Sequence, residues 1–219
     1  MTSKEFINEI IEYYVSSREL TVDKGAFNIW RGVSHSISSQ SEDLFAKMIA
    51  NELNDRNLEF IVDKTFSMRM SSGESLQFRP DLAIVKGGVL TNIIDLKMDM
   101  GYKRRYHETD VFQKEHEKFK AFRNKGYISI SYNRDGKRIH LTPVDSIINQ
   151  IVVISERNEG KAQNRLDMID EINNLDWIEI YYLSGGVHPN AYDGSTLKNL
   201  TVNQTEFDRL YLDIRKKLC

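Results

Sequence analysis

Asp81, Asp95 and Lys97 are the residues whose types and spacing best suit chemistry. Phe78-Arg79-Pro80-Asp81-Leu82-Ala83-Ile84-Val85 reads as one strand-like run, with Asp81 near its start. After the turn Lys86-Gly87-Gly88, a second run from Val89 to Ile94 ends on Asp95-Leu96-Lys97. Two β-branched runs around Gly-Gly are the sequence form of a β-hairpin. Alternation turns Asp95 and Lys97 to one side of their strand, and antiparallel pairing brings Asp81 beside them. Buried carboxylates are costly, and two close together repel. A divalent cation removes both costs. Mg²⁺ takes only one or two carboxylates and keeps several waters. A neighbouring lysine can orient water or neutralise charge building on a phosphate. As plain structure, the same three residues make a salt-bridged strand end.

Other elements must hold this hairpin. Ser39-Gln40-Ser41-Glu42 has the spacing of a capping box and precedes a helix with Phe45, Met48, Ile49 and Leu53 on one face. Glu42 lies one turn before Phe45 and borders that face, with Asp43 and Glu52 as weaker candidates. Residues 58–70 read as strand, and Ser71-Ser72-Gly73-Glu74 as a turn into the hairpin. The order is then helix, strands, and the Asp-x-Lys end.

Pro80-Asp81, a hydrophobic hairpin and Asp95-Leu96-Lys97 together resemble the PD-(D/E)xK nuclease superfamily, which includes many type II restriction endonucleases. The resemblance spans about residues 39–132. It implies a restriction-endonuclease-like α/β fold: three layers, α/β/α, with a central mixed β-sheet. It implies Mg²⁺, with Mn²⁺ able to substitute, bound by Asp81, Asp95 and the Leu96 carbonyl. Glu42 would complete the metal site, and Lys97 would position the attacking water. It implies hydrolysis of double-stranded DNA, a homodimer for symmetric cutting, and a cognate methyltransferase acting on the same site. Within nucleases the rival substrates are RNA and branched DNA. Viral cap-snatching endonucleases use a related site with an upstream histidine, and His35 precedes Glu42 here. A non-catalytic nucleic-acid binder is the other alternative.

The segment after Lys97 suits phosphate contacts. From Lys97 to Lys125 there are nine Lys or Arg and five acids, in a chain of net charge −2. Lys103, Arg104 and Arg105 are the sharpest candidates, interleaved with Tyr102 and Tyr106. His107 and His116 lack metal-ligand spacing and read as surface residues. Val111, Phe112, Phe119 and Phe122 give a 110–124 helix its inner face, ended by Gly126.

The 219 residues suit one domain, 1–219, with a core about 39–142 and helical additions at both ends. Phe6, Ile7, Ile10, Ile11 and Tyr14 mark an opening helix, and Phe207, Leu210, Tyr211 and Ile214 a closing one. Residues 21–40 read as loop, where Trp30 is a packing anchor. Tyr127–Tyr132 and Arg138–Thr142 form a second hairpin around Asp135-Gly136, its first strand reached by a βαβ crossover. Pro143 starts a helix with Ile147, Ile148 and Ile151 on its apolar side. Leu166, Ile169 and Ile172 mark another helix, and Trp177–Leu183 a late strand. Ser184–Asn190 reads as a connector. The single Cys219 permits no disulfide within the chain. With no signal peptide or membrane span, the expected setting is the cytoplasm, with no membrane partner.

Overall fold

The structure is a computed structural model that describes residues 1–18, 21–23, 28–30, 35–99, 119–122, 124–157, 177–191 and 194–218; for 21–23 and 28–30 it describes the backbone. It is a mixed α/β protein with a central, mostly antiparallel mixed sheet and flanking helices. The elements in order are α1 (Ser3–Ser17), β1 (Thr21–Asp23), β2 (Asn28–Trp30), α2 (Ser38–Leu53), β3 (Leu58–Val62), β4 (Phe66–Met70), β5 (Ser75–Phe78), β6 (Leu82–Lys86) and β7 (Val89–Lys97). Then follow β8 (Tyr127–Arg134), β9 (Lys137–Pro143), β10 (Asn149–Val153), β11 (Ile178–Tyr182), β12 (Ser184–Gly185), α3 (Gly194–Leu197), β13 (Thr201–Val202) and α4 (Gln204–Leu218). Residues 119–122 are helical. No described helix is long and apolar enough to cross a membrane.

The β6–β7 hairpin is the spine. Gly87 and Gly88 have φ of 57° and 83°. Two consecutive positive φ values make the turn whose twist matches paired strands, and side chains resist that backbone. A bulge follows, because Ile84 pairs with Asn92 while Val85 pairs with Leu90. The extra residue, Thr91, gives its hydroxyl to the Ile84 carbonyl at 3.0 Å. The bulge resets the alternation. Ile94 and Leu96 therefore face one core with Leu82 and Ile84, while Leu90 and Ile93 face another with Ala83 and Val85.

The sheet forks at β7. Its early residues Val89 and Leu90 pair in parallel with Thr142 and Pro143 of β9, and Ile93–Lys97 pair in parallel with β10. One branch runs β9-β8-β4-β5, and the other runs β10-β11. On one side α1, α2 and α4 cover β6, β7 and β10 through Phe6, Phe45, Met48, Phe207 and Leu210. On the other side Phe66, Phe78, Phe119, Phe122 and Tyr132 close the second core.

Several expectations are corrected here. The run from Phe78 to Val85 is broken at 79–81. Phe78 ends β5, which hairpins with β4, and the motif strand begins at Leu82. The turn at 71–74 therefore leads into β5. Residues 144–148 are not helical, and Ile151 lies in β10. Burial on both sheet faces favours an unbroken apolar strand there, and such a short run has no period that separates strand from helix. The strand parallel to the Ile93–Lys97 end of β7 is β10; β8 is antiparallel to β4 and β9. The 21–40 stretch holds the β1–β2 hairpin and the start of α2. The capping box at Ser39 is absent. Helix α2 begins at Ser38, Ile37 is its N-cap without a side-chain bond, and Ser39 is inside the helix. A capping box does occur at Thr2 and Glu5.

Candidate metal and phosphate site

Asp81 sits where three strands meet. Leu82 pairs with Ile94, so Asp81 stands one step further on, level with Asp95. The Asp81 carbonyl accepts from the Asp63 amide at 3.2 Å, which ties it to the end of β3. Its Oδ2 accepts from the Leu96 amide at 2.6 Å and from Lys97 Nζ at 3.3 Å. Lys97 Nζ also donates to the Leu96 carbonyl at 3.4 Å. A cationic group thus lies between a carboxylate oxygen and a backbone carbonyl at the strand end.

Burial pushes the Asp81 carboxyl above its usual range; Lys97 opposes this, Asp95 adds to it, and the Leu96 amide opposes it. Glu42 is shifted the same way, first by burial, then by Asp81 and Asp63, with Lys97 opposing. The acids feel one another across one cleft. Glu42, Asp81, Leu96 and Lys97 line it with Ser38, Met98 and Asp99, in a volume of about 390 Å³. With the capping box gone, Glu42 makes no helix-capping bond that would explain its place there. Asp43 is exposed, and Glu52 pairs with Arg215 at 2.6 Å. His35 is exposed, and its amide donates to the Ser17 carbonyl.

Asp95 faces a neighbouring pocket with Phe78, Arg79, Pro80, Ile93, Phe119 and Phe122. It reaches Asp81 through its charge. Sequence reasoning missed its partner. Asn149 is 1 % exposed, and its Nδ2 donates to Asp95 Oδ2 at 3.2 Å. The Asn149 Oδ1 has no partner among the described residues. Its signal was weak: a polar residue opening an apolar run that was read as helix. Replacing Asn149 by Ala is expected to weaken Mn²⁺ binding roughly tenfold, the usual cost of losing a group that orients a ligand. Calorimetric titration of both proteins checks it.

The 184–190 stretch was also under-read. His188 Nε2 lies 3.1 Å from Asp99 Oδ2, and its Nδ1 accepts from the Asn190 amide at 3.0 Å. The loop is therefore tied to the chain two residues beyond Lys97. An added Cβ at Gly186 would lie 2.1 Å from the Asn199 carbonyl, so only glycine fits.

Among the described residues, no group of three or more His, Cys, Asp or Glu side chains could hold a metal ion. Mg²⁺ takes one or two carboxylates, a carbonyl and water; Asp81 and Leu96 line one cleft, and Asp95, level with Asp81, lines the neighbouring pocket. Protons compete with a metal for Asp81 and Glu42, whose carboxyls hold protons more tightly than usual. Stabilisation of the protein by Mn²⁺ is therefore expected to grow as pH rises from the acid side through the raised titration of these carboxyls. Thermal melts with and without the ion measure this.

Lys103, Arg104, Arg105, Tyr102, Tyr106, His107, His116, Arg31, the Trp30 side chain and the 166–172 helix lie outside the described residues. Comparison with protein-family models, with curated proteins and with solved structures gives no match.

Proposed function

We propose that this chain is a metal-dependent endonuclease that hydrolyses the phosphodiester bonds of double-stranded DNA. Its fold would be the restriction-endonuclease-like three-layer α/β/α arrangement. The observation that supports this most is the Lys97 ammonium, 3.3 Å from Asp81 Oδ2 and 3.4 Å from the Leu96 carbonyl, on the strand that carries Asp95. A salt-bridged strand end alone would not account for Glu42 on the same cleft, where burial and the charge of Asp81 push its carboxyl up.

Bound Mg²⁺, or Mn²⁺ in its place, would be held by Asp81, Asp95 and the Leu96 carbonyl, and it supplies a water of lowered pKa and neutralises phosphate charge. Lys97 directs its ammonium at the phosphate oxygen where negative charge builds. Glu42, which lines the cleft and whose carboxyl favours the proton, would take one from the attacking water. The new P–O bond forms to that water as the bond to the leaving sugar oxygen breaks. Asn149 holds one Asp95 oxygen fixed and leaves the other for the ion. Symmetric double-strand cutting would require a homodimer, and protection of host DNA would require a cognate methyltransferase.

Supercoiled plasmid, unmethylated phage DNA and single-stranded RNA, each with Mg²⁺ or Mn²⁺, test the reading. Discrete DNA bands support a restriction-type enzyme. Loss of RNA alone moves the activity to RNA. No product from any substrate, together with no Mn²⁺ binding, overturns it.

A further inference from the structure

The β4-β5-β8-β9 branch has one apolar face and one polar face. Phe66, Phe78, Ile130, Tyr132 and Leu141 point into the second core. The alternate positions point outward. Gln77, Ser67, Ser131 and His140 stand side by side in one row across the four strands. Arg69 and Arg138 flank that row, and no outward position of these strands is Asp or Glu. In a chain with 32 acids and 30 Lys or Arg, the outward positions of these four strands carry positive charge alone.

The face is also concave. A cleft of about 470 Å³ lies over it, walled by Lys64, Gln77, Arg79, Ser131, Tyr132 and Arg138, with one acid, Asp63, which is paired to Arg79. Arg138 Nε donates to Ser131 Oγ at 2.9 Å, which fixes its guanidinium over the row. Lys64 and Arg69 are exposed. Arg79 walls both this cleft and the pocket that contains Asp95. The polar face therefore adjoins the pocket that contains Asp95.

We infer that this face docks double-stranded DNA and presents one phosphodiester to Asp81 and Asp95. Arginine, lysine, serine and glutamine are the side chains that contact phosphate and sugar oxygens. Three strand spacings make the row about 14 Å wide, close to the width of a major groove. A single strand would be gripped by stacking its bases on aromatic rings. Here the Phe and Tyr rings of the four strands pack inward, and Tyr132, which lines the cleft, is only 4 % exposed and offers little face for stacking. That favours a duplex. The inference rests on the nuclease reading and extends it to the substrate surface.

The test is binding of a short fluorescein-labelled duplex in EDTA, followed by anisotropy at several salt concentrations. The wild-type protein is compared with Arg69→Gln and with the Arg69→Gln, Arg138→Gln double variant. Arg69 is exposed, so the single variant keeps the fold even if Arg138 supports Ser131. The double variant is expected to bind at least about tenfold more weakly, with a log K against log salt slope shallower by about two; the single variant loses about one. Unchanged affinity and slope in folded variants overturn the inference. So does tighter binding of a single strand of the same sequence, or no duplex binding by the wild type. Cleavage is read separately in Mg²⁺. Weakened binding with no cleavage by any protein means that the surface stands and the nuclease reading falls. Unchanged binding with intact cleavage means the reverse.

Discussion

Asp95→Ala is expected to lower DNA cleavage by about a thousandfold or more while the protein stays folded. The change removes a carboxylate from the proposed ion site and leaves Asp81 and Lys97 paired to each other. A pure, folded Asp95→Ala protein that still cuts plasmid at the wild-type rate would sink the metal assignment. The effect on stability has the opposite sign. Asp95 helps to push the Asp81 carboxyl above its ordinary range. A carboxyl that binds its proton more tightly when folded favours the folded state at low pH, and that advantage fades as pH rises through the raised value. Near neutrality, without metal, the charged pair therefore costs stability. Asp95→Asn keeps the shape and an oxygen for Asn149 but removes the repulsion. It should melt a few degrees above the wild type without metal, and gain less from Mn²⁺. A site shaped for function and not for stability would behave this way.

The parts that were legible in the sequence had local causes. Gly87-Gly88 demands one turn and that turn sets a register, but the register alone would put Asp81 opposite Ile94; the bulge at Thr91, which nothing in the sequence announced, shifts it by one residue and brings Asp81 level with Asp95. The helices α1 and α4 were readable because their buried residues recur at helical spacing. What failed depended on distant partners. Nothing near Ile147–Ile151 says that a parallel neighbour waits on each side of β10. Pro80 looked like part of a strand, yet β5 had already turned back onto β4. Glu42 was split between a cap and a cleft. Helix α2 starting at Ser38 rejects the cap, and only the packed position of β6 and β7 shows what the side chain faces instead. Asn149 and His188 were invisible for the same reason, since each acts on an acid that is far away in sequence.

Phe6→Ala should be the most damaging single change to stability among those considered, costing about 3–5 kcal/mol. Phe6 is 0 % exposed. Its ring meets Phe45 edge-on at 6.1 Å and Phe207 at 6.2 Å, so one side chain links α1, α2 and α4. These helices read from sequence as a core helix with additions before and after it, yet they share one apolar cluster with β6, β7 and β10. Removing the ring leaves a cavity where the three helices meet, and the rigid sheet beneath cannot collapse to fill it. At about 2–4 °C per kcal/mol for a chain of this size, the melting temperature should fall by roughly 10 °C. Val15, 50 % exposed on the same helix, is the control, and Val15→Ala should change little. An unchanged melt for Phe6→Ala would mean that α1 is not part of the cooperative unit. The consequence reaches the site, because Phe45 and Glu42 stand one turn apart on α2. Below its melting temperature, the variant should therefore cleave DNA more slowly than its folded fraction accounts for, as the helix that aims Glu42 into the cleft loses its support.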